Sequence, residues 1–187
     1  MIKISIITVT YNNSSGLKKT IDSVLNQTYH LIEFIIIDGG STDDSVQVIR
    51  SVEDKLTYWA SEADNGIYHA MNKGWKIATG DYCFFLNSGD TLYNNKSIDE
   101  VTNGILKCPN FAIYYCNLQL FYPLIATFKL KTYPEHIHLN FFSTSTICHQ
   151  AVFISRFCLL ELNGYLENYT IISDWIFFIT AWLQGFT

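Results

Sequence analysis

The sequence predicts an α/β fold built on a mainly parallel sheet flanked by helices. Two observations carry this reading. Over residues 2–90, buried-strand patterns alternate with helical ones, the signature of a parallel sheet with right-handed crossovers. Two of those strands then end abruptly in acid, Ile35-Ile36-Ile37-Asp38 and Phe84-Phe85-Leu86-Asn87-Ser88-Gly89-Asp90. In open α/β sheets ligands sit beyond the carboxyl ends of the strands, so these two acids mark a candidate site.

Each element has its own warrant. Ile2 to Val9 is rich in Ile and Val without strict alternation, which suits a central strand covered on both faces. The polar loop Thr10-Tyr11-Asn12-Asn13-Ser14-Ser15 ends in N-cap residues, and Leu17, Ile21, Val24 and Leu25 follow at helical spacing. Glu33 to Ile37 is a second strand, and Ser41 to Asp44 cap a helix carrying Val46 and Ile49. Leu56 to Ala60 is a third, shorter strand. Ile67, Met71, Trp75 and Ala78 share one helical face, stopped by Thr79-Gly80-Asp81. Tyr82 to Leu86 is the fourth strand. Beyond residue 90, Phe111 to Leu120 and Leu124 to Leu130 read as a hairpin joined at Pro123. Ser143 to Phe153 is mixed, Arg156 to Leu162 a short helix, and Asp174 to Leu183 a strongly apolar helix. Without repeats or a linker, residues 1–187 read as one domain with halves at 1–90 and 91–187.

Composition sets bounds. The 187 residues are 49% hydrophobic and 16% charged, enough for a sizeable core and against disorder. A net charge of -5 with no basic run argues against nucleic acid. A nucleotide remains compatible, because a divalent cation neutralises phosphate locally. The five cysteines have no CxxC spacing, so a disulfide framework or zinc ribbon is not expected and a cytoplasmic setting is. Met1 to Ser5 runs directly into a strand, with no leader pattern. Trp175 to Leu183 is about half the length that spans a bilayer. The chain stops at Gln184-Gly185-Phe186-Thr187, directly after a helical pattern, which reads as a truncation.

Several of the candidate residues admit two readings. Asp38 either accepts hydrogen bonds from a base or ribose, or caps its own turn. Asp90 offers the hard oxygen that Mg²⁺ or Mn²⁺ prefers, with Asn87 near the sugar, or belongs to an ordinary turn. Asp64, Asn65 and Gly66 open a helix whose free N–H groups favour anions. Lys73 either neutralises diphosphate or is a solvated helix lysine. Tyr11 either stacks on a nucleobase or covers the sheet end. His149 reads as a structural histidine. Asp174 is either a first-turn acid favoured by the helix dipole or a general base toward an acceptor hydroxyl.

Four segments occur in a fixed order: Ser5-Ile6-Ile7-Thr8-Val9-Thr10-Tyr11-Asn12, Ile37-Asp38-Gly39-Gly40-Ser41-Thr42-Asp43, the stretch from Asp64 to Gly74, and Leu86-Asn87-Ser88-Gly89-Asp90. Together they resemble the family 2 glycosyltransferases with the Rossmann-like GT-A fold. His149-Gln150-Ala151-Val152-Phe153 and Ser173-Asp174-Trp175 resemble that family's acceptor-side segments. The resemblance implies a nucleotide-sugar-binding half at 1–90 and an acceptor-side half, a small β/α region, at 91–187. It implies inverting, metal-dependent transfer of a sugar, from a UDP-sugar for preference, to a glycan or lipid-linked acceptor in surface polysaccharide synthesis. On that resemblance Thr8, Tyr11 and Asp38 hold the nucleoside, Asp64 and Lys73 lie near the nucleotide and its phosphates, and Asn87 lies near the sugar. Asp90 would then carry Mn²⁺ or Mg²⁺ and Asp174 would be the catalytic base. Peripheral association with the inner face of the cytoplasmic membrane is a further implication. The chain departs from the pattern at Gly89, where many relatives have Asp, at Tyr115-Cys116-Asn117, where they often have Gly-Asp, and in lacking an extension beyond the Asp174 helix.

Two alternatives stand beside this reading. A sugar nucleotidyltransferase would need a Gly-rich basic loop after the first strand, which Thr10 to Ser15 does not supply. A degenerate, non-catalytic domain that binds nucleotide or a partner protein would keep the sheet and lose the transfer.

Overall fold

The computed structural model describes residues 1–186. Its centre is a six-stranded sheet. The strands β1 (Ile4–Thr10), β2 (Ile32–Asp38), β3 (Tyr58–Ser61) and β4 (Tyr82–Phe85) run parallel, with helices α1 (Ser14–Leu25), α2 (Ser45–Arg50) and α3 (Ile67–Ile77) in the crossovers. The helix α4 (Ser97–Lys107) follows, at a stretch where the sequence reading places no element. Then come β5 (Ile113–Tyr115), β6 (Leu118–Tyr122), β7 (Thr127–Lys131), β8 (Val152–Ser155), α5 (Arg156–Glu161) and α6 (Ser173–Leu183). The spatial order is β3-β2-β1-β4-β8-β5, and β8 runs antiparallel to both of its neighbours.

The sheet is buried on both faces, and the period of two sorts its side chains into two cores. Ile7, Val9, Ile35, Ile37, Cys83 and Phe85 pack with α3, α5 and α6 on one face. Ile4, Ile6, Phe34, Ile36, Phe84 and Leu86 pack with Leu17, Ile21, Ile49 and Ile98 on the other. α3 lies close against β1, because a Cβ at Gly74 would come within 2.4 Å of the Ile7 side chain.

The predicted strand from Phe111 to Leu120 is divided in the structure. Its first part is β5 and joins the central sheet beside β8, and the Cys116 amide donates to the Ala151 carbonyl at 2.8 Å. Its second part is β6, which pairs with β7 in a separate two-stranded sheet. The chain bends between them at Asn117, whose side chain accepts from the Tyr133 amide at 3.2 Å.

Candidate active site

The parallel register aligns the strand ends, pairing Thr10 with Asp38 and Asp38 with Ser61. Beyond them lies a cleft of about 610 Å³ whose wall includes Tyr11, Gly39, Asp64, Gly66, Ile67 and Asn87. Tyr11 is 65% exposed and its ring is available to a planar ligand. The α3 N-terminus opens into the cleft at Gly66 and Ile67, and no side chain caps its first turn. Its amide groups therefore favour an anion there. Asp64 is fixed at this entrance by accepting from the Gly66 amide at 2.9 Å.

The five other sequence-predicted residues, Thr8, Asp38, Lys73, Asp90 and Asp174, do not line the cleft. Thr8 is fully buried in β1, and its hydroxyl has no partner among the described residues. Asp38 is also fully buried. Its carboxylate accepts from the Ser41 amide at 2.9 Å, which closes the turn after β2, and from the Ser61 hydroxyl on β3 at 2.6 Å. Lys73 pairs with Glu62 at 2.9 Å.

The turn from Asn87 to Asp90 is braced by α1. The Thr20 hydroxyl donates to the Asp90 carbonyl at 2.7 Å and accepts from the Gly89 amide at 2.9 Å, while Asn13 Nδ2 donates to the Ser88 carbonyl at 3.0 Å. Gly89, where an acid was the family expectation, has φ of +103°, a conformation that a side chain disfavours. Burial pushes the Asp90 carboxyl above its ordinary pKa, offset in part by nearby His149 and a hydrogen bond with Gln150.

Asp174 and Asn87 are joined through His149. His149 Nδ1 lies 3.0 Å from Asp174 Oδ2, and its Nε2 lies 3.0 Å from Asn87 Nδ2. An amide Nδ2 can only donate, so Nε2 accepts and the Nδ1 proton points at the carboxylate. The other carboxylate oxygen accepts from the Tyr68 hydroxyl at 3.0 Å and the Trp175 amide at 2.9 Å. Burial alone would raise the Asp174 pKa, but these donors, His149 first among them, hold it below the ordinary value. The Tyr68 hydroxyl goes the other way, pushed up to about 12 by burial and by Asp174, and so stays a donor. The N-cap of α6 is Ile172, which leaves Asp174 as a first-turn acid.

The sequence reading singles out neither Tyr68 nor Thr20 and takes His149 for a structural residue. The one available signal for Tyr68 is its place inside the Asp64–Gly74 segment. His149 stands 62 residues from Asn87 and 25 from Asp174, so no local pattern links them.

A divalent cation is compatible with the residues present. Among the described residues no three His, Cys, Asp or Glu side chains form a cluster that would hold a metal unaided. Mg²⁺-type sites, however, often use one or two carboxylates and take phosphate oxygens for the rest. Asp90 offers the carboxylate, and the buried Asn87 Oδ1 has no partner among the described residues.

A mainly parallel sheet with acids at two strand ends and an anion-favouring helix start beside them has the GT-A fold of the solved glycosyltransferases described below. The model of glycosyl transferase family 2 matches residues 5–159, and the chain belongs to that family. Over 181 residues the chain is 31% identical to an uncharacterised glycosyltransferase of Mycobacterium tuberculosis (strain CDC 1551 / Oshkosh), covering 95% of this chain and 68% of that protein. It is 29% identical over 176 residues to a PGL/p-HBAD biosynthesis glycosyltransferase of Mycobacterium bovis BCG, covering 92% of this chain and 67% of that one. Residues 1–349 of S. aureus TarS, solved in complex with UDP, superpose with a TM-score of 0.79 at 18% identity, covering 97% of this chain and 55% of that chain. The mannosyltransferase PcManGT of Pyrobaculum calidifontis, solved with GDP-Man and Mn²⁺, gives 0.77 at 16% identity, covering 99% and 53%. The chain thus spans about two thirds of these curated relatives and about half of these solved structures.

Proposed function

We propose that the protein transfers a sugar from a nucleoside-diphosphate sugar, with UDP as the favoured nucleotide, to a hydroxyl of a glycan or lipid-linked acceptor, inverting the anomeric configuration. One observation carries this reading. A hydrogen-bonded chain, Asn87–His149–Asp174–Tyr68, connects the donor-side strand end to a carboxylate kept ionised by its donors.

The chemistry follows from that placement. Tyr11 receives the base, and Asp64 with the α3 N-terminus bounds the diphosphate end of the cleft. Asp90 and the Asn87 amide oxygen would hold Mn²⁺ or Mg²⁺, which when bound supplies neutralising charge at the diphosphate. Asp174 takes the proton from the acceptor hydroxyl as that oxygen bonds to the anomeric carbon and the bond to diphosphate breaks. The Oδ2 that faces His149 retains a lone pair for that proton. A single displacement needs no enzyme nucleophile and inverts the centre.

The test is a panel of UDP- and GDP-sugars with Mn²⁺ or Mg²⁺, read by calorimetry and by donor hydrolysis. Binding of at least one nucleotide sugar is expected, with loss of its metal-dependent part in Asp90→Ala. Asp174→Asn should keep donor binding and lose transfer. Failure of every donor to bind, with either ion, would leave the non-catalytic reading in its place.

A further inference from the structure

The β6–β7 hairpin stands apart from the central sheet. Its register places Phe121 opposite Phe128 and Gln119 opposite Leu130 on one face, with the two phenyl centroids 4.9 Å apart. Phe121, Phe128 and Leu130 are all exposed. At the turn, Leu124 is 100% exposed and Ile125 70%. An apolar face continuing into a bare aliphatic tip is not a surface that water favours.

The segment that carries the hairpin is free of acids. The protein carries a net -5, yet residues 101–134 contain no Asp or Glu and three lysines, Lys107, Lys129 and Lys131. Lys129 and Lys131 lie on the hairpin face opposite the two phenylalanines. An acid-free stretch that carries exposed lysine is attracted to an anionic surface even on an acidic protein. Long lysine side chains beside an apolar wedge reach headgroup phosphates while the wedge enters the acyl boundary.

We propose that the β6–β7 hairpin docks on an anionic phospholipid bilayer, with Leu124 and Ile125 entering the acyl boundary and Lys129 meeting the headgroups. The base of the hairpin is stitched to the candidate site. Lys131 Nζ lies 3.2 Å from Cys148 Sγ, and the Cys148 amide donates to the Tyr133 hydroxyl at 2.9 Å, one residue before His149. A docked hairpin therefore holds the His149–Asp174 side of the site near the bilayer, where a lipid-linked acceptor would be presented. That consequence rests on the transferase reading above, whereas the docking itself does not.

The experiment is co-sedimentation of the whole chain with vesicles of phosphatidylglycerol and phosphatidylcholine in equal parts, against phosphatidylcholine alone. Binding to the anionic vesicles is expected, weakening with added salt. The double variant Leu124→Asp/Ile125→Asp should bind about tenfold or more weakly at an unchanged melting temperature, since neither side chain is buried. Lys129→Glu should weaken anionic binding roughly fivefold. Equal binding to both vesicle types, or tip variants that bind like the parent, would overturn the proposal. So would absent vesicle binding together with a concentration-dependent oligomer that the tip variant dissolves, which would assign the face to a second copy. Nucleotide-sugar binding is measured separately without vesicles, so its failure alone would count against the transferase reading and not against docking.

Discussion

His149 Nδ1 sits 3.0 Å from Asp174 Oδ2 while the same ring's Nε2 sits 3.0 Å from Asn87. One imidazole thus ties the end of β4 to the start of α6, and it fixes which way the carboxylate faces. His149→Ala removes the one side-chain donor to Oδ2 among the described residues and loosens a carboxylate then held only through its other oxygen, by Tyr68 and the Trp175 amide. We expect kcat to fall about 10- to 100-fold, the usual cost of a misplaced catalytic group, with donor affinity changed far less. His149→Gln, which can still donate, should recover part of the loss. Steady-state kinetics beside donor calorimetry separates the two effects, and an equal loss of donor affinity would show that His149 serves the donor pocket instead.

The single Tyr68 hydroxyl proton is shared between the same carboxylate, at 3.0 Å, and the Ile171 carbonyl, at 2.7 Å. Its hydrogen bond is one of those that lower the Asp174 pKa. In Tyr68→Phe that bond is gone, so the Asp174 pKa should rise. Asp174 works in its ionised form, so the acidic limb of the kcat/KM profile should move to higher pH. An acidic limb unmoved in the variant would mean that another group controls it.

The sequence made some of this legible and hid the rest for physical reasons. Strand ends such as Ile37-Asp38 and Leu86-Asn87 announce themselves locally, because an apolar run must stop where the polar turn begins. α5 and α6 were legible through their apolar composition. α4 was not, since its buried positions Ile98, Thr102 and Ile105 are interrupted by Asn103 and Gly104. The division of 111–120 was hidden because it depends on β8, some forty residues further on, pairing with β5 and leaving β6 to β7. Asp38 offered a ligand and a cap reading on sequence, and its carboxylate accepts from Ser41 in its own turn and from Ser61 on the neighbouring strand β3. His149 was hidden for a like reason, since its partners come from distant strand and helix ends.

Gly89 occupies the position where the resemblance leads one to expect an additional acid. Its φ of +103° is strained for any side chain, and its amide already serves the Thr20 hydroxyl at 2.9 Å. Gly89→Asp should therefore destabilise the protein by about 1–3 kcal/mol without tightening cation binding. Thermal melts with and without Mn²⁺ check both parts. A variant that melts like the parent and binds Mn²⁺ more tightly would show that the turn can relax to admit a second carboxylate.

Glu33 anchors the end of the sheet remote from the site. It is 3% exposed, and it accepts from the Thr79 amide at 2.7 Å, from the Thr79 hydroxyl at 2.8 Å and from Lys3 at 3.1 Å, with Ser5 as a further donor. Burial alone would raise its pKa, but these donors hold it at about 2, below the ordinary 4.5. A depressed carboxylate pKa stabilises the fold above the unfolded value, and the contribution is lost as pH falls through the folded one. The loss should thus run from about pH 4.5 down to about pH 2. Glu33→Gln should cost roughly 1–3 kcal/mol at pH 7, since an amide replaces one acceptor with a donor among donors. Urea melts of both proteins at pH 7 and pH 3 provide the comparison, and the gap between them should narrow at the lower pH. A gap that stays constant would mean that Glu33 contributes by packing alone.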